Sequence, residues 1–145
     1  MMNIQKNIQQ YIASQSEQKS ADMQALHLQI LALLPNCKVW FENGKNEEGK
    51  VISNPNIGYG SYTIHYANGS TREFFQVGLS ANSTGISVYL MGIPNKNFLI
   101  HNFKEIIGKA SVTGYCIKFK KCADINLDVL SEAIKAAVEI TGGTV

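Results

Sequence analysis

Residues 57–66, IGYGSYTIHY, and 71–80, TREFFQVGLS, flank Ala67-Asn68-Gly69-Ser70, and the fold of the chain turns on how these two segments pair. Both run with a period of two, as strands do. Asn68-Gly69 between them is the signature of a two-residue hairpin turn, because both residues accept positive φ. Such a turn aligns Ala67 with Ser70. It sets His65 opposite Arg72, Ile64 opposite Glu73, Thr63 opposite Phe74, Tyr62 opposite Phe75 and Ser61 opposite Gln76. The side chains then divide onto two faces. Tyr62, Ile64, Phe75, Val77 and Leu79 share the core face, and Tyr59, Ser61, Thr63, His65, Arg72, Phe74 and Gln76 share the other.

Upstream of the hairpin the period changes to that of a helix. Ile4, Ile8, Tyr11 and Ile12 lie on one stripe, and after a Ser-rich break Met23, Leu26, Ile30, Leu33 and Leu34 form a second stripe that ends at Pro35. His27 falls within that second face, where a hydrogen-bonded core histidine is expected. Asn43, Gly44, Asn46, Gly49 and Asn54-Pro55-Asn56 mark a long irregular connection anchored by Trp40 and Phe41. Downstream, Ile86–Met91 and Tyr115–Lys120 read as strands, the latter with Ile117 and Phe119 inward and Lys118 and Lys120 outward. Asn97 can cap a helix carrying Leu99, Ile100, Phe103, Ile106 and Ile107, stopped by Gly108. A last helix spans about Leu127 to Ile140 and ends at Gly142-Gly143. The expected fold class is therefore α+β, a mainly antiparallel four-stranded sheet with packed helices in the order α-α-β-β-β-α-β-α.

Composition narrows the function classes. The chain has 145 residues, 45% of them hydrophobic, which suits one folded domain over residues 1–145. Its net charge of +2 is too small for the dense cationic field that general nucleic-acid or anionic-membrane binding needs, so neither is an expected partner. Met1-Met2-Asn3 leads into polar residues instead of an apolar run, so no secretory leader is expected. The three cysteines, Cys37, Cys116 and Cys122, are odd in number and lack CxxC spacing, which suits free thiols in the cytoplasm. His27, His65 and His101 show no i, i+4 pair and no adjacent carboxylates, so no metal site is expected from spacing. The chain contains no GxSxG, no Walker-type phosphate loop and no HExxH. A non-enzymatic protein without a cofactor is the expectation.

Gly58-Tyr59-Gly60-Ser61-Tyr62, the Asn68-Gly69 turn, Gly78-Leu79-Ser80, Ser87-Val88-Tyr89-Leu90-Met91, Gly108-Lys109, Cys116, Lys120-Lys121 and Ala123-Asp124 recur here in an ordered spacing. In these residues the chain resembles the YdhG-like family, over roughly Ile57 to Ala137. The resemblance implies a small α/β sandwich without a known catalytic motif. Some members of that family are named frataxin-like iron chaperones, so the resemblance also implies iron as a possible cargo. An acidic ridge would serve that role, and the first two helices offer Glu17 and Asp22 as acids.

The outward face of the ribbon is the candidate site. Tyr59, Thr63, His65, Phe74, Gln76, Tyr89 and Lys118 combine rings with hydrogen-bonding and charged groups, as a surface for a small molecule or protein partner requires. The competing expectation is that a helix or the Asn/Gly-rich connection covers this face and turns its rings into a second core. Gly58 and Gly60 fit either a close backbone approach to a ligand or a strand bend. A third reading assembles an enzyme site from Cys116, His65 and Arg72, against which a buried, inert thiol is the expected state of Cys116.

Overall fold

The computed structural model describes residues 3–142. Met1-Met2, on which the expectation about a leader rests, and Gly143, expected at the last helix stop, lie outside the described residues. Asparagine opens two of the helices. Asn3 Oδ1 accepts from the Lys6 N–H and starts α1 (Ile4–Ala13), while Asn126 Oδ1 accepts from the N–H groups of Asp128 and Val129 and starts α4 (Leu127–Ile140). Between them lie α2 (Glu17–Leu33), which stops just before Pro35, and the short α3 (Phe98–Phe103). The third helix is shorter than its apolar stripe suggests. Asn97 makes no side-chain cap, and the Asn95 side chain accepts the Asn97 N–H instead.

Among the described residues the four expected strands prove to be eight. β1 (Val39–Glu42), β2 (Asn56–Tyr59), β5 (Val77–Asn82), β6 (Gly85–Leu90), β7 (Ser111–Val112) and β8 (Cys116–Phe119) make one antiparallel sheet in the order β1-β2-β5-β6-β8-β7. β3 (Tyr62–His65) and β4 (Thr71–Phe74) form a separate two-stranded arm. The fold class is thus α+β with four helices and an antiparallel sheet, but the sheet has six strands and the element order differs from the expected one. β7 is only two residues long, and β1, Val39-Trp40-Phe41-Glu42, has three apolar residues in a row instead of an alternation, so neither showed a period of two.

The hairpin register is one residue away from the expected one. Tyr62 pairs with Phe74, Thr63 with Glu73, Ile64 with Arg72 and His65 with Thr71. Of the two turn residues only Gly69 takes positive φ, at +88°, so the two-residue turn that needs it at both positions does not form. Ala67-Asn68-Gly69 instead makes a three-residue loop, closed by Tyr66 N–H to Ser70 C=O and Gly69 N–H to Tyr66 C=O, each 3.0 Å. At Gly60 the chain takes φ +78°, which a side chain resists, and this kink separates the arm from the main sheet.

Alternation across the six strands places Phe41, Ile57, Tyr59, Val77, Leu79, Ile86, Val88, Leu90, Ile117 and Phe119 on one face. The buried apolar residues of all four helices, among them Ile8, Met23, Leu26, Ile30, Leu99, Leu130 and Ile134, join them in one cluster. Among the described residues no helix therefore lies over the second face. Two buried apolar residues, Phe75 and Cys116, stand outside the cluster.

Candidate functional site

Two rows of side chains cross the helix-free face. The first runs through Trp40, Gly58, Gly78, Tyr89 and Cys116, which are register partners in successive strands from β1 to β8. The second runs through Glu42 and Asn56, then Ser80, Ser87, Lys118 and Ser111. The first row is aromatic at its flanks and bare at Gly58 and Gly78. Phe75 fills that bare centre: a Cβ on either glycine would come within 2.7 Å of its ring. Phe74 lies against Phe75 with ring centroids 4.1 Å apart, and Trp40 meets Phe74 at 6.3 Å. Trp40 is held by its indole N–H donating to Gly60 C=O at 2.8 Å, with the Lys38 ammonium 3.9 Å from its ring.

Two hollows open on this face. One, of about 240 Å³, lies where Phe74, Phe75 and Arg72 meet Asn56, Glu42 and the connection that carries Lys45 and Ile52. The other, of about 150 Å³, lies between Tyr89, Tyr115, Cys116, Lys118, Ser111 and Thr113. The rings of Tyr89 and Tyr115 run nearly parallel there, 16° apart with centroids at 6.2 Å. Burial raises the pKa of the Tyr89 hydroxyl and of the Cys116 thiol, so both groups act as neutral hydrogen-bonding surface at neutral pH.

Three of the seven residues singled out from sequence stand on this face: Phe74 and Tyr89 half-buried, Lys118 exposed. The structure places the other four off this face. Tyr59 is fully buried on the helix side, its hydroxyl sharing a 2.7 Å hydrogen bond with His27 Nδ1. The one-residue register change moved it, since a strand shifted by one exchanges its faces. Gln76 is buried, and its amide donates to Thr141 Oγ1 at 2.7 Å and to Val138 C=O, tying β5 to the end of α4. Thr63 and His65 lie exposed on the arm, on the side opposite Phe74, with Thr63 Oγ1 donating to Glu73 at 2.6 Å.

Trp40, Phe75, Asn56 and Tyr115 are the residues of this face that sequence reasoning missed. A ring following the Phe74 position and a glycine in each of two paired strands were the available signal for Phe75. Nothing local marked Asn56. Cys116 keeps company with Ser87 and Lys118, while His65 and Arg72 belong to the arm. Among the described residues no three His, Cys, Asp or Glu side chains gather as a metal-ligand group.

No family model, no curated protein and no solved structure matches this chain. The functional reading therefore stands on the residues themselves.

Proposed function

We propose that this is a cytoplasmic, non-enzymatic domain of YdhG-like type that binds a small ligand on the helix-free face of its sheet. One observation carries the reading: all four helices pack on one side, and the other side keeps an aromatic row with a hollow at each flank. Rings supply contact area at low entropic cost, and Ser111, Asn56 and Lys118 beside them supply directional polar contacts. The size of the hollows favours a small molecule over a protein partner, which would want a broader continuous patch. Three free thiols suit a reducing compartment, and among the described residues no helix is long and apolar enough to cross a membrane.

A small-metabolite panel, including ferrous iron, tests the reading by thermal shift and by amide chemical shifts. A saturable ligand that raises the melting temperature and moves the signals of Phe74, Tyr89 and Lys118 is expected. Stabilisation by iron alone, with those signals unmoved, would overturn it.

A further inference from the structure

We infer that the hollow beside Phe74 and Phe75 takes an adenine ring, read by the carboxamide of Asn56. This rests on the ligand-binding reading above and adds the chemical class. Asn56 lines the hollow. Its Oδ1 is buried and meets no donor among the described residues, and its Nδ2 has the Asn54 C=O as a partner at 3.5 Å, the limit of reach. Both ends of one amide thus stand nearly unused at a cavity wall, where an unmade hydrogen bond is unfavourable. The terminal torsion of an asparagine is soft, so turning the carboxamide toward the hollow sacrifices a single weak bond.

A carboxamide offers an acceptor and a donor side by side. The edge of adenine that carries the 6-amino donor beside the N7 acceptor is its complement, whereas guanine sets two acceptors, O6 and N7, along the same edge. The walls suit the rest of the molecule. Phe74, half-buried, with the Arg72 guanidinium 5.0 Å from its ring centroid and the buried Phe75 ring behind it, presents apolar surface for a heterocycle, and about 240 Å³ accommodates a fused two-ring system. Arg72 and Lys45 against Glu42 leave one net positive charge around the hollow, two cations less one anion, which favours the phosphate of a nucleotide.

The test titrates the full chain with AMP, N6,N6-dimethyl-AMP and GMP, following Trp40 emission and the side-chain amide signal of Asn56. AMP is expected to bind saturably and to move the Asn56 amide, with both other nucleotides weaker by about tenfold for the lost amide pairing. In Asn56→Ala the three affinities should converge; if that variant does not fold, the three wild-type affinities decide alone. Equal affinity for all three, or AMP moving Tyr89, Tyr115 and Lys118 while the Asn56 amide stays still, overturns the adenine assignment and leaves the face a ligand surface. No signal on the face moving with any ligand of the panel overturns both readings.

Discussion

Gly58 and Gly78 face each other across β2 and β5, and together they make the floor on which the Phe75 ring lies. Neither takes positive φ, so the reason for glycine at both positions is space. A ring seated on a bare patch of backbone is fixed from below and held from the side by Phe74, which sets the wall of the larger hollow. Gly78→Ala is expected to lower stability by about 1–3 kcal/mol through overpacking. In a Phe75→Ala background the same change should cost far less, because the atoms it strikes are gone. Urea unfolding of the four proteins of this cycle measures the coupling, and strict additivity would show that the glycine floor does not seat the ring.

The Tyr59–His27 pair predicts a pH dependence. Burial holds the His27 pKa below its ordinary 6.5, so the folded protein keeps this imidazole neutral where the unfolded chain takes up a proton. With more protons bound in the unfolded state, stability rises with pH, and it falls as pH drops below about 6.5 toward the folded value. Melting temperatures between pH 8 and pH 5.5 should fall with acidification, and His27→Gln should flatten that slope. Tyr59→Phe leaves His27 Nδ1 without its partner and is expected to cost about 1–3 kcal/mol at pH 7.5.

Tyr11 closes the sheet where a proline interrupts it. Its hydroxyl accepts the Ala81 N–H at 2.7 Å and donates to Pro55 C=O at 3.1 Å, bridging β5 to the residue just before β2. Tyr11→Phe removes one acceptor and one donor at once, and a loss of roughly 1–3 kcal/mol is expected. Hydrogen exchange gives the sharper readout. The Ala81 amide should exchange faster in the variant while the Leu79 and Val88 amides, deep in the sheet, keep their protection.

All three thiols have pKa values raised by burial, and Cys122 is pushed up to about 12 by burial and by the Asp22 carboxylate beside it. At pH 8 a disulfide reagent should modify the folded chain far more slowly than the denatured one, with Cys122 the slowest site by peptide mapping. Asp22→Asn should speed Cys122 selectively, since it removes the repelling charge and keeps an oxygen for the Cys122 N–H. Rapid labelling of Cys122 in the native protein would contradict this environment.

The elements legible in the sequence were those with enough length to express a period. The stripes of α1, α2 and α4, the Leu127–Ile140 span of the last helix, and the inward Ile117 and Phe119 against outward Lys118 all stand where their spacing puts them. His27 likewise proves to be a buried, hydrogen-bonded histidine. The site was harder to read. Alternation put Phe74, Tyr89 and Lys118 on the outward face, where they stand, but Tyr59 was placed there through a hairpin register one residue off, and Gln76 because the break at Phe75-Gln76 between β4 and β5 interrupts the alternation.

By itself, then, the sequence determined the helices, the antiparallel pairing and the α+β class, because these follow from propensity and periodicity within a dozen residues. Only the tertiary structure decided the hairpin register, the added strands β1 and β7, and which side of the sheet stayed free of helices. Those outcomes depend on contacts between distant segments. The Gly60 kink, the seat that Gly58 and Gly78 make for Phe75, and the docking of four helices on one side compete in free energy across the whole chain, and no local window contains that competition.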